Sequence, residues 1–325
     1  MKCRGVVSPA KGKVELQELE VVNPGKKEIQ IRVEVSLVSP GTERAFILNM
    51  PNTTGIYPHE PGYCAAGVVM KVGAEVKRFK PGDRVACYGI GHRSAGNVEQ
   101  QWSLKVPDSV SLEHAAFLSL GQTSLQAVRK TRIELGEDVL VFGLGLMGQL
   151  ALQLASLSGA MTVTGVDFIE KRLEIARVCG ADRTIAADAE NWMDALEEKP
   201  HVVVEATGAP EVIGLACQTV RPFGRVCILS STRGESTVNF YRDVHKKGIT
   251  IVGAHTTGSN PRFESRPGYW TFQDDAFCFM RLLSRRKVRM DPLITEQIDW
   301  SESVQAYERI LAGDPNILGT IIRWT

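Results

Sequence analysis

No run of 18 apolar residues occurs in the 325-residue sequence, so no segment reads as a membrane-spanning helix. Neither charge is in excess: 38 Lys and Arg face 37 Asp and Glu, for a net charge of +1. That balance offers no basic face for nucleic acid and no acidic block of the kind that forms a disordered tail. Cysteine is sparse and scattered, at positions 3, 64, 87, 179, 217, 227 and 278, never in a C-x-x-C pair. Such spacing argues against a disulfide framework and against a zinc knuckle. Met1–Val7 lacks the apolar core and cleavage site of a signal peptide. The expected compartment is the reducing cytoplasm, and membranes and nucleic acids are not expected partners.

What is present centres on Asp138–Gly148, DVLVFGLGLMG, running into QLALQLA. Four consecutive apolar residues suit a central parallel strand covered on both faces. Gly143, Gly145 and Gly148 follow at G-x-G-x-x-G spacing. The first glycine permits a tight turn, the second lets backbone approach a pyrophosphate, and the third lets the helix pack on the strand. The helix start at Leu146 and Met147 presents free N–H groups and a partial positive charge to phosphates. A second strand, Met161–Asp167, ends in an acid 19 residues past the third glycine, where a ribose 2′-hydroxyl is bound in such sites. Strands then recur near 183–186, 201–205, 225–230 and 249–254, with helices near 147–158, 169–178, 190–196 and 210–220. Alternation at this spacing gives an α/β fold with a doubly wound, parallel six-stranded Rossmann sheet. Ligands in such sheets lie at the carboxyl ends of the strands. That places Asp167, Ala206, Thr207 and Ser230 as cofactor-binding candidates, although Thr207 also suits a helix N-cap.

The first third is different. Val14–Val21, Glu28–Val38, Ala66–Val72 and Asp83–Cys87 read as short valine-rich strands separated by Pro-Gly turns. Two loops stand out: Ser39–Arg44 (SPGTER) and Pro58–Cys64 (PHEPGYC). From about Arg262 the chain leaves the sheet, with an amphipathic helix over Trp270–Lys287, then a helix over Ser301–Ala312 and a last strand over Gly319–Trp324. The boundaries expected are a β-rich domain over 1–120, completed by 266–325, and a dinucleotide-binding domain over 121–265. His59, His92 and His255 fall in expected loops, where a structural or solvated role is favoured over catalysis.

A β-rich first domain with Val72-Gly73 and Pro81–Val85 (PGDRV), the Gly143–Gly148 turn, Glu205–Gly208 (EATG) and Lys247–Gly253 together resemble the medium-chain dehydrogenase/reductase superfamily. The resemblance spans nearly the whole chain and implies a GroES-like barrel beside the Rossmann domain, with substrate and nicotinamide in the cleft between them. It also exposes departures. Zinc-dependent members carry a cysteine where Pro40 stands and a histidine where Tyr63 stands. Their third ligand falls near Phe117–Leu120, which offers no ligand side chain, and the four-cysteine structural lobe is missing. Tetrahedral zinc needs three or four converging side chains, so no metal ligand is assigned. Cys64, His59 and Glu43 are the only improvised alternative. Gly41-Thr42-Glu43 with Pro61-Gly62-Tyr63 is similar to a zinc-lacking branch that includes 3-hydroxyethyl bacteriochlorophyllide dehydrogenases and sugar- or cyclitol-pathway enzymes.

The resemblance implies hydride transfer between NAD and a secondary alcohol or ketone. Without zinc, a hydroxyl relay or charged neighbour must handle the proton. Thr42 occupies the superfamily's proton-relay position, Tyr63 the lost histidine's place, and Glu43 follows Thr42. Thr123 matches the threonine that lies against nicotinamide. Asp167, followed by Phe168 and Ile169 instead of a basic residue, points to NAD over NADP. Two other readings stay open: a zinc-free quinone or enoyl reductase, and a nucleotide-binding sensor without turnover. Pairing of the apolar edge strand Thr250–Gly253 across a two-fold axis implies a homodimer, or a tetramer of dimers.

Overall fold

Valine-rich segments of the first hundred residues pair as strands, several of them buried along most of their length. The computed structural model describes residues 1–189, 192–256 and 258–325. In chain order, strands β1 (Lys2–Val7), β2 (Glu15–Glu20) and β3 (Glu28–Val38) lead into helix α1 (Pro40–Ile47). Strands β4 (Cys64–Val72), β5 (Arg84–Tyr88), β6 (Ala95–Glu99) and β7 (Ser103–Lys105) follow, then helices α2 (Leu112–Ala115) and α3 (Leu118–Thr131). Six strands and three helices come next: β8 (Asp138–Phe142), α4 (Leu146–Leu157), β9 (Thr162–Asp167), α5 (Glu170–Val178), β10 (Arg183–Ala186), β11 (Val202–Glu205), α6 (Pro210–Thr219), β12 (Arg225–Ile228) and β13 (Thr250–Gly253). Helix α7 (Phe272–Ser284), strand β14 (Glu296–Asp299), helix α8 (Ser303–Ala312) and strand β15 (Thr320–Arg323) complete the chain.

Two compact units result, residues 1–119 with 276–325 and residues 120–275. In the first, a mixed seven-stranded sheet has the order β14-β15-β3-β4-β5-β7, with β6 also on β3, and β1 pairs β2 separately. The C-terminal return is built in by register: β15 lies antiparallel to β3 with Ile321 opposite Leu37. Ala306, Tyr307 and Ile310 of α8 join Ile29, Ile31, Val33 and Val85 in one apolar core. Helix α8 stops at Gly313, whose φ of +82° is the left-handed cap that glycine adopts without strain.

The second unit is the doubly wound sheet, all parallel, in the order β10-β9-β8-β11-β12-β13. Val139, Leu140, Val141 and Phe142 of β8 are all buried, as a central strand covered on both faces requires. The strand order reverses between β8 and β11. Their carboxyl ends therefore flank the crevice where such sheets take ligands.

Four sequence expectations need correction. Ser39–Arg44 is not an open loop, because α1 begins at Pro40 with proline at its first position, a favoured place for it. The sequence suggests a helical stretch over Leu112–Leu120; it divides, and α3 continues to Thr131. Its buried face carries Gln122, Thr123, Ser124 and Gln126, so the apolar periodicity that marks a helix is missing. The helix expected at 190–196 is a single 3₁₀ turn over Trp192–Ala195; positions 190 and 191 lie outside the described residues. Strands β6, β7 and β14 were not expected from the sequence.

Candidate functional site

Gly143 and Gly148 have the tight-turn and close-packing geometry expected of them. Gly143 sits at φ +82° and closes directly on the end of β11. A Cβ there would lie 2.7 Å from Thr207 Cγ2 and 2.9 Å from Thr207 N. At Gly148 a Cβ would lie 1.8 Å from the Gly143 carbonyl oxygen, so only glycine allows α4 this close to β8. Gly145 differs: nothing lies within 4 Å of its hypothetical Cβ. That open space lies at the N-cap of α4, which has no side-chain cap and no acidic residue in its first turn. The amides at Leu146 and Met147 are thus left for an anion, and the helix dipole favours one there.

Asp167 ends β9 and is 7% exposed. Its Oδ2 accepts from Leu144 N at 2.7 Å and its Oδ1 from Ile169 N at 2.9 Å. Arg172 Nη1 stands 3.6 Å from Oδ2, and Arg172 Nε is buried with no hydrogen-bond partner among the described residues. The basic neighbour absent from the next sequence positions is therefore supplied one helical turn later. Gln149 braces the same corner, donating to the carbonyls of Leu144 at 3.3 Å and Arg172 at 2.8 Å.

Across the strand reversal, the fully buried carboxylate of Glu205 organises the third segment. It accepts from Thr207 N at 2.6 Å, from Gly208 N at 3.1 Å and from the hydroxyls of Thr207 and Ser230. Ala206, Thr207 and Ser230 are thus brought together, around an acid the sequence reading had not ranked as a site residue. A carboxylate at a strand end followed by Thr-Gly was the available signal, since acids readily accept from amides two and three positions on. Thr207 is not the N-cap of α6; Ala209 is, without a side-chain cap, and Thr207 Oγ1 accepts from Ala209 N at 3.0 Å. Thr123 is buried and its hydroxyl meets Thr256 Oγ1 at 2.9 Å.

In the first unit, Tyr63 is half-buried and its hydroxyl is hydrogen-bonded by the side chains of Ser39 and Thr42. Burial raises its pKa well above the ordinary tyrosine value, and the neighbouring Cys64 adds to the rise. The Ser39 and Thr42 hydrogen bonds oppose it only in part. As a result Tyr63 favours its protonated form. Its ring packs edge-on against Tyr88 with centroids 5.8 Å apart, and Tyr88 packs likewise on Trp102 at 5.9 Å.

Glu43 does not join those hydroxyls. Its side chain turns inward, 2% exposed, to accept from Ser39 N at 2.7 Å, from His92 Nε2 at 2.9 Å and from the Tyr307 hydroxyl. His92, expected in a loop with a structural or solvated role, is 1% exposed. His59 stacks on Phe46 with ring centroids 5.4 Å apart. Among the described residues, no group of three or more His, Cys, Asp or Glu side chains could hold a metal ion. Nor is any helix there long and apolar enough to cross a membrane.

Comparison with known proteins adds two family matches. Residues 25–106 match the alcohol dehydrogenase GroES-like domain and residues 147–267 match the zinc-binding dehydrogenase family. Human sorbitol dehydrogenase is 24% identical, with 93% of this chain and 91% of that protein covered. Galactitol 1-phosphate 5-dehydrogenase of Escherichia coli K12 is 24% identical over 94% of this chain and 96% of its own. Among solved structures, a zinc-binding dehydrogenase from Sinorhizobium meliloti bound to NADP superposes with a TM-score of 0.84 at 19% identity. The E. coli CFT073 alcohol dehydrogenase rspB complexed with NADH gives 0.86 at 17% identity. Each covers 99% of both chains. The open cradle at Gly145 and the carboxylate of Asp167 fit a nicotinamide nucleotide. At the positions where the resemblance puts zinc ligands, Pro40 and Tyr63 carry no ligand side chain of that kind, and Glu43 accepts from Ser39, His92 and Tyr307.

Proposed function

The chain belongs to the medium-chain dehydrogenase/reductase superfamily, and on that premise we propose that it is a zinc-independent, NAD-dependent dehydrogenase. Its substrate would be a secondary alcohol or ketone of a polyol, sugar or cyclitol-like molecule. The observation that carries this reading is the open glycine turn of α4 with Asp167 at the end of the next strand. Sorbitol and galactitol 1-phosphate, named for two relatives, support the polyol class.

The amides at the start of α4 would hold the pyrophosphate, and Asp167 would hold the adenosine ribose. Bound nicotinamide supplies the hydride chemistry; the chain must orient the reacting carbon and move one proton. Tyr63, kept protonated by its burial, would donate to the substrate oxygen and so polarise a carbonyl. Thr42, whose hydroxyl both donates and accepts, would pass the proton onward. Glu43 is withdrawn from that role by its inward contacts.

One observation favours NADP instead: Arg172 lies beside Asp167, where a guanidinium can meet a 2′-phosphate. The test is a turnover assay with both nucleotides against a polyol and cyclitol panel, paired with calorimetry. Hydride transfer to NAD from a polyol supports the proposal. Turnover confined to quinones or activated double bonds, or binding without turnover, contradicts it.

A further inference from the structure

We infer that His92 is a positioning residue that locks the Thr42 helix start to the Tyr63 loop, acting with Glu43, Tyr307 and Ser36. The inference rests on the reading above in assigning Thr42 and Tyr63 to the proton. His92 reaches both segments by separate means. Its backbone N–H donates to the Pro61 carbonyl at 2.9 Å, two residues before Tyr63. Its ring fills the space beside Gly62, where a Cβ would lie 2.5 Å from His92 Cδ2. Meanwhile its Nε2 meets Glu43 Oε2 at 2.9 Å, one residue past Thr42. Glu43 passes that restraint to the first turn of α1, because its other oxygen accepts from Ser39 N at 2.7 Å.

The far side of the ring is held as firmly. Trp324 Nε1–H can only donate, and it donates to Ser36 Oγ at 2.9 Å. Ser36 keeps its own proton for His92 Nδ1 at 2.7 Å. That assignment, made from the network, leaves Nε2 carrying the ring proton and donating it to Glu43. Tyr307, from α8, gives the same carboxylate oxygen its hydroxyl proton and packs edge-on against the imidazole at 6.1 Å. A chain of donors each matched to one acceptor fixes a ring orientation and, through it, the start of α1 and the Tyr63 loop. The hydroxyl pair needs such a frame, because a proton passes efficiently only at hydrogen-bond distance.

The test compares His92→Phe, which keeps a ring and removes both side-chain hydrogen bonds, with His92→Gln, which retains a donor for Glu43. Nucleotide affinity measured by calorimetry checks that each full-length variant folds with its cofactor site intact. Hydrogen exchange is then read at the amides of 39–43 and 62–64, and kcat and KM on whichever alcohol the panel identifies. His92→Phe is expected to speed exchange in both segments by about tenfold or more, as loss of local restraint does. It should lower kcat by a similar factor with KM little changed, and His92→Gln should recover most of both. Unchanged exchange in folded His92→Phe, or a change confined to one segment, overturns the lock. If His92→Phe does not fold, Tyr307→Phe replaces it: faster exchange at 39–43 supports the lock and none overturns it. The exchange measurement needs no substrate, so failure to find one counts against the dehydrogenase reading alone.

Discussion

The backbone N–H of Leu144 donates to Oδ2 of Asp167 at 2.7 Å, so the proposed ribose ligand is also a strut of the glycine turn. Removing the carboxylate then has two consequences. Asp167→Ala should leave the amides of Leu144 and Ile169 unpaired, at a cost of about 1–3 kcal/mol each, visible as a lower Tm. Asp167→Ser, with one acceptor left, should be milder and should narrow the gap between NAD and NADP in calorimetry. An unaltered NAD preference in a folded Asp167→Ser would remove the acid from the selectivity account.

Two glycines of one turn should respond in opposite ways to the same methyl group. Gly148→Ala places a Cβ against the Gly143 carbonyl and should cost about 1–3 kcal/mol or more as an overpacked contact. Gly145→Ala meets nothing and should leave stability within about 0.5 kcal/mol. It should nevertheless weaken nucleotide binding by about tenfold, or ~1.4 kcal/mol, because the methyl enters the cradle. Thermal unfolding and calorimetry on the pair separate the packing glycine from the binding glycine.

Thr42→Val and Tyr63→Phe keep shape and remove only hydroxyls. Each should lower kcat by roughly 10²–10⁴-fold, the usual range for a general acid–base group, with NAD affinity unchanged. Because the fold raises the Tyr63 pKa, the hydroxyl stays protonated above the pH at which a free tyrosine ionises. The unfolded chain then releases a proton the folded one keeps, so this group's contribution to stability falls as pH rises past about 10. Tyr63→Phe should remove that part of the alkaline decline in Tm.

Asp275 provides a second pH test in the opposite range. Burial raises its pKa from 3.8 to about 6, against the opposing pull of Arg129, whose Nε donates to Oδ1 at 2.7 Å. Oδ2 is buried with no hydrogen-bond partner among the described residues. A raised folded pKa means the folded chain binds the extra proton between those two values. Its stabilisation is complete below pH 3.8 and is lost as pH rises through about 6. Asp275→Asn should flatten the stability profile in that window, measured by denaturant unfolding. A parallel offset with no change of slope would contradict the assignment.

The nucleotide half of the candidate site was legible in the sequence because its parts are local. Strand, turn and helix follow one another from Asp138 to Leu157, and Asp167 closes the next strand. Arg172 was missed although only five positions on, because the reading looked for a cation immediately after the acid and not one helical turn later. The proton half was half-legible. The resemblance put Thr42 and Tyr63 in converging segments, but Glu43 turned inward to His92 and Tyr307, 49 and 264 positions away. Contacts at that separation depend on strand register and on the return of α8, which no local pattern encodes. Helix α3 was illegible for another reason: its buried polar side chains hide the period of 3.6 on which a helix is recognised.

The most direct test of the account is NADH formation from a polyol by protein stripped with a chelator, with metal content measured on the same sample. The account expects turnover equal to that of untreated protein and well under one zinc ion per chain in both. Stoichiometric zinc that leaves together with activity would contradict it.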